Sequence, residues 1–198
     1  MIYGITGTAA YGIYILYDIN SVLWRNKLLH MGFMAGTIML VAATAAMIAD
    51  SVGERQLIDS VSFGMNIATY IFILLELMFL GLLVYTLFFA LPFKETYTDG
   101  DNSQEPAKVC KKGMYALCRH PGVLWLAGAY VCLAVEFSTV EVIVNSIIFV
   151  VLDVIYVIFQ DKWTFVRTFA DYEEYKRETP FLIPCAGSIR KCLRTMKG

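Results

Sequence analysis

The stretch IATYIFILLELMFLGLLVYTLFFALP, residues 67–92, decides the fold class. It carries one charged side chain, Glu76, in 26 residues. A helix needs roughly 20 mostly apolar residues to cross about 30 Å of hydrocarbon, and this run supplies more than that. Working outward, 31–49 qualifies on one side, and 121–137 and 140–160 on the other. A fifth run, 3–24, is weaker, because Tyr11, Tyr14, Tyr17 and Asp18 lie on it. Composition agrees. Of 198 residues 58% are hydrophobic and 17% charged, against roughly 25% charged in a soluble domain. The net charge of −1 points to neither nucleic acid nor an acidic partner, and so much apolar surface excludes disorder. The first run lacks the basic start of a cleavable signal peptide. The expected fold is an all-α integral membrane protein of about five transmembrane helices, with the lipid bilayer as its first partner.

Basic residues set the expected orientation, since loops on the cytoplasmic side are enriched in them. With five spans, fifteen of the sixteen Lys and Arg residues fall on one side, Arg55 being the exception. The N-terminus is therefore expected outside and the tail in the cytoplasm. One membrane domain, 1–198, is expected: three helices in 1–92, a cytoplasmic loop at 93–120, a closing helix hairpin in 121–160 and a tail at 161–198. The loop is the one break in composition, with the turn-rich run Asp99-Gly100-Asp101-Asn102-Ser103. Only 137–139 separate the fourth and fifth runs, which forces a hairpin. After Gln160 the pattern turns amphipathic: Phe165, Val166, Phe169 and Tyr172 on one face, Arg167, Asp171, Glu174 and Glu178 on the other. A single C-terminal amphipathic helix ending at Pro180 is expected, lying on the membrane surface or capping the bundle.

The five cysteines form no CxxC pair, and His30 and His120 show no zinc-ligand spacing with them, so neither a disulfide framework nor a metal is expected. Polar groups at membrane depth face a bundle interior or an aqueous cavity. Asn145, Asp153, Tyr156 and Gln160 lie near one stripe of the fifth run, and Glu76 and Asp18 lie inside others. These groups read either as a polar cavity or as interhelical hydrogen bonding. Gly32 and Gly36 have the spacing of a close helix–helix contact.

The chemistry-bearing stretch is KGMYALCRHPG, residues 112–122, where the loop re-enters the membrane. Gly113 permits a close backbone approach, Tyr115 offers a ring with a hydroxyl, Arg119 a permanent planar cation and His120 a titratable ring. Pro121 suits the first turn of a helix. A cation and an imidazole there make an anion site at the bilayer edge. The plain alternative is that Arg119 marks the inside boundary and His120 snorkels to it.

The GxYxxxRHP pattern resembles the signature of integral-membrane methyltransferases related to isoprenylcysteine carboxyl methyltransferase and to phospholipid N-methyltransferases. A second stretch, Tyr172-Glu173-Glu174-Tyr175 followed by Thr179-Pro180-Phe181-Leu182-Ile183-Pro184, is similar to that family's second signature. Three departures stand out. Val123 occupies a place where the family usually has tyrosine, the acidic pair is reduced to Gln160-Asp161, and Ala170 follows Phe169 where a glycine is common. The resemblance implies S-adenosylmethionine as methyl donor on the cytoplasmic side and a small-molecule or lipid hydrophobic acceptor entering from the bilayer. It further implies Arg119 and His120 as the catalytic pair, touching the donor's amino-acid part or orienting the acceptor. Gly113 and Tyr115 would shape the cofactor pocket, and Asp161 would bind a ribose hydroxyl or the donor's ammonium. Tyr172 and Tyr175 would close the site or dock the tail. Two other readings stay open: a membrane NADPH-dependent reductase of related fold, and a non-catalytic membrane scaffold.

Overall fold

Runs of leucine, isoleucine and valine with no proline inside them leave the backbone only itself to hydrogen-bond, and they form helices. The computed structural model describes residues 2–58, 67–89 and 108–196, and among these all regular structure is helical. The expectations for the Arg55 side chain, Lys94, the turn at 99–103 and Lys197 lie outside the described residues. In chain order the helices are α1 (Ile2–Ile19), α2 (Gly32–Ile58), α3 (Ile67–Phe88), α4 (Met114–Leu117), α5 (Pro121–Phe137), α6 (Val140–Phe159), α7 (Phe165–Thr168), α8 (Tyr172–Glu178) and α9 (Ala186–Thr195). Single π-helical turns, Asn20–Trp24 and Gln160–Thr164, end α1 and join α6 to α7.

Among the described residues three segments are long and apolar enough to cross a membrane: Leu29–Gly53, Thr69–Phe88 and Val140–Thr168. Pro121–Phe137 is apolar but shorter. The α6 surface is compatible with a membrane environment. Val144, Ile147, Val151 and Ile155 form an exposed apolar stripe, while Asn145, Ser146 and Tyr156 are buried. A water-soluble helix places its faces the other way round.

The tail departs from expectation. The single amphipathic helix over 165–179 is instead two short helices, because Phe169 adopts extended backbone (φ −113°, ψ 129°) and Asp171 also leaves the helical region. The break turns Tyr172 and Tyr175 inward, where both are buried. Packing against neighbouring side chains outweighs the weak preference of a short solvent-exposed helix to continue.

The chain divides into two compact units, residues 1–78 with 127–159 and residues 79–126 with 160–198. In the first unit α1 packs against α2 and α6. Glycines set these approaches: a Cβ on Gly36 would meet the Tyr14 ring at 2.8 Å, one on Gly32 would lie 3.2 Å from Tyr17, and one on Gly7 would lie 2.0 Å from Phe149. Tyr14 stacks on Tyr156 with centroids 5.4 Å apart, and Tyr11 meets Tyr14 edge-on at 5.5 Å. Tyr130 shares a 2.8 Å hydrogen bond with Thr44 and meets Phe149 edge to face, which brings α5 beside α6 across the turn at Ser138 (φ 52°). Of the polar groups expected at depth, Tyr156 is thus built into an aromatic interior, and Asp18 and Asn145 are buried. The second unit carries the motifs.

Candidate functional site

Both motif segments meet at one carboxylate. Asp161 sits in the π-helical turn after α6 and Arg119 in the short segment between α4 and α5, with side chains only 8% and 11% exposed. Arg119 Nε lies 2.8 Å from Asp161 Oδ1, an ionic contact, since the N–H is not aimed at the oxygen. Nη2 donates to Oδ2 at 3.2 Å. Arg119 Nη1 donates to the carbonyls of Lys176 (2.9 Å) and Thr179 (3.2 Å), and the Arg119 backbone N–H to that of Pro180 (2.9 Å). A planar guanidinium holds its donors in a fixed fork, so it serves a carboxylate and two carbonyls from separate nitrogens at once.

Asp161 is shared further. The Tyr172 hydroxyl donates to Oδ1 at 2.7 Å, and His120 Nε2 lies 3.4 Å from the same oxygen. The imidazole is stacked on Phe165 (5.7 Å between centroids) and meets Phe181 edge-on at 5.2 Å. Burial among these rings holds His120 below its ordinary 6.5, and the neighbouring Asp161 offsets only part of that, so the ring is neutral at pH 7. Burial also raises the Tyr172 and Tyr175 hydroxyls, with Asp161 adding to the effect at Tyr172. The Cys118 thiol is pushed up to about 12 by burial and carries no thiolate.

The structure brings Arg119, His120, Asp161 and Tyr172 into one cluster. Tyr175 joins the two motifs at a second point, its hydroxyl donating to the Tyr115 carbonyl at 2.6 Å. The Tyr115 hydroxyl in turn donates to the Thr86 carbonyl at 3.2 Å. Gly113 has a different task from the close approach read in sequence: its backbone (φ 58°, ψ −132°) turns the chain into α4, and its N–H donates to Thr195 Oγ1 at 3.0 Å. A side chain there is strained by the dihedral rather than by a neighbour.

Several contributors carried little signal in the sequence. Phe165 and Phe181 read as ordinary apolar positions, yet they wall His120. Thr86, an isolated polar residue near the end of an apolar run, also accepts from Trp125 Nε1 at 3.0 Å. Thr179 is 3% exposed, and its hydroxyl oxygen has no hydrogen-bond partner. Among the described residues no group of three or more His, Cys, Asp or Glu is placed to hold a metal.

Chemically the site is a buried polar network ringed by aromatics, with a neutral imidazole, a guanidinium whose Nη1 and Nη2 donate within the protein while its Nε–H has no hydrogen-bond partner, and a carboxylate whose Oδ2 accepts one hydrogen bond. No family model, curated protein or solved structure matches the chain.

Proposed function

We propose that the chain is an integral-membrane S-adenosylmethionine-dependent methyltransferase acting on a small or lipidic hydrophobic acceptor. In this reading five helices span the bilayer, the N-terminus lies outside, and the loop and tail are cytoplasmic. The observation that supports it is the convergence at Asp161: Arg119 from the first motif and Tyr172 from the second hold the same carboxylate. A helix begun at Val140 rises about 1.5 Å per residue and reaches the far edge of about 30 Å of hydrocarbon near Asp161, where Lys162, Trp163 and Arg167 follow. Basic and indole side chains together suit that boundary.

The residues fit a polar donor in two respects. Asp161 Oδ2 has a lone pair to spare for a hydroxyl or ammonium, and the buried Thr179 hydroxyl lacks a partner, which costs stability unless something meets it. When bound, the donor supplies an electrophilic methyl group on a sulfonium. Arg119 acts as a positioning residue: its Nη1 and Nη2 groups donate within the protein, and it ties the tail to the re-entry segment. Neutral His120 adds no competing charge, and Phe165, Phe181 and Tyr172 keep water from the reacting atoms. Methyl transfer asks mainly for such alignment and exclusion of water. In a reductase, Arg119 could not serve the extra phosphate of NADPH, because it is already bound to Asp161.

The test is calorimetric titration of detergent-purified protein with S-adenosylhomocysteine and, separately, NADPH. Binding of S-adenosylhomocysteine, weakened at least tenfold by Asp161→Asn with helical content unchanged, is the expected result. NADPH binding alone would replace the reading with a reductase, and binding of neither would leave a scaffold. Incubation of membranes with labelled donor and identification of the methylated product then names the acceptor.

A further inference from the structure

The last helix carries a surface that the motifs leave unexplained. In α9, Ser188 and Cys192 are buried, and Cys192 packs with Met114 and Ala116 in a cluster that Leu82, Leu117 and Trp125 complete. Beside this buried edge runs a second stripe, Ile189 and Leu193, at the i, i+4 spacing of one helix face, and the capping residue Met196 continues it while its sulfur lies 3.7 Å from that of Cys192. These side chains are 44%, 60% and 46% exposed. Arg190 and Arg194 follow on the next face, both exposed, and make no ion pair among the described residues. Lys191 is held by Glu178 at 3.1 Å. Ile183, just ahead of the helix, is 82% exposed. The helix holds no acidic residue.

We propose that α9 is an interfacial helix that seats Ile189, Leu193 and Met196 in the acyl boundary of an anionic leaflet, with Arg190 and Arg194 on its headgroups. The occupant follows from continuity and charge. Leu82 belongs to the apolar segment Thr69–Phe88 and lies four residues beyond Met78 and six before Phe88, so the cluster that holds Cys192 sits beside a helix still within its hydrocarbon-length run. An apolar stripe bordering that cluster meets lipid at the same level. Three large apolar side chains left in water would be unfavourable by roughly 25 cal/mol per Å², whereas an amphipathic helix lying 5–10 Å into the boundary, by the usual order of magnitude, relieves this. Pairing with a second copy is disfavoured, because it would set two pairs of arginines against each other, while anionic headgroups neutralise them. The proposal rests on the bilayer reading and not on methyl transfer.

The test uses the full chain with Cys110→Ser and Cys185→Ser, leaving the buried cysteines in place, in lipid nanodiscs of phosphatidylcholine alone or with about a third phosphatidylserine. Nitroxide labels at Leu193→Cys and, separately, Arg190→Cys report collisions with oxygen, which concentrates in lipid, and with a water-soluble nickel chelate. Expected is an oxygen-to-nickel ratio several-fold higher at 193 than at 190, rising with phosphatidylserine, and a loss of that rise on Arg190→Gln with Arg194→Gln in the 193-labelled chain. Equal, nickel-accessible labels in both disc types overturn the proposal. So does spin–spin broadening between 193 labels, which would assign the face to a second copy. Protein that never enters the discs overturns the bilayer reading itself, a distinguishable failure.

Discussion

The two units bury polar side chains by opposite means. In the first, Tyr11, Tyr14 and Tyr156 pack ring against ring on helices brought close by Gly7 and Gly36, and the Tyr14 hydroxyl donates to Thr37 Oγ1 at 3.1 Å. In the second, a full charge pair sits in the interior, and every tail segment near it donates to it or accepts from it. Shape holds the first unit, and a network holds the second. The contrast indicates where a ligand could find partners in the second unit: the network leaves Asp161 Oδ2 with one hydrogen bond and the Thr179 hydroxyl with none. The comparison also says which substitutions each unit should tolerate.

The largest effect is expected from Asp161→Ala. It leaves the buried Arg119 guanidinium without its counter-charge and should destabilise the second unit by about 3–5 kcal/mol. Hydrogen exchange should show lost protection over residues 172–180, with α1 and α2 unchanged. Opening of both units together would break the comparison. Next comes Gly7→Ala, whose new methyl would lie 2.0 Å from a Phe149 ring carbon. Overpacking of this kind costs about 3 kcal/mol at the upper end and should lower the unfolding midpoint while leaving the affinity for S-adenosylhomocysteine as it was.

Tyr172→Phe removes only the hydroxyl that donates to Asp161 and should cost about 2 kcal/mol, since the acceptor is charged. Tyr175→Phe loses a neutral bond to the Tyr115 carbonyl and should cost about 1 kcal/mol. Chemical denaturation of the two variants side by side sharpens the claim that charge carries the second unit, and equal losses would contradict it.

The smallest effect concerns pH. His120 has its proton affinity depressed below the ordinary 6.5 in the folded chain. The unfolded chain therefore takes up a proton first as pH falls. The stability contributed by neutral His120 is present above pH 6.5 and declines as pH drops from there toward the lower folded value. A thermal unfolding series across this range should show the decline, and His120→Gln should flatten it.

Much of this was legible in the sequence at the level of elements. The runs at 121–137 and 140–160 appear as α5 and α6 within a residue, because a long apolar stretch has few structural options. The Gly32 and Gly36 spacing marks a real contact with α1, since small residues matter wherever backbones approach. The break at Phe169 was not legible: the apolar period runs straight through it, and only the burial of Tyr172 and Tyr175 decides where the helix stops. Gly113 was noticed for a valid reason and given a different task, because a positive φ leaves no mark in a single sequence. Phe181 was quoted only as part of a motif and proves to wall His120.

By itself, then, the sequence determined that this chain forms long apolar helices, where the last pair of them begins and ends, and that two polar segments flank that pair. These properties are local: they follow from hydrophobic length and from the need of every backbone group to find a partner nearby. Only the tertiary structure decided that Arg119, His120, Asp161 and Tyr172 share one carboxylate. Residues up to 53 positions apart in the chain can be joined only by folding, and the energy of a charge pair depends on the burial that folding creates.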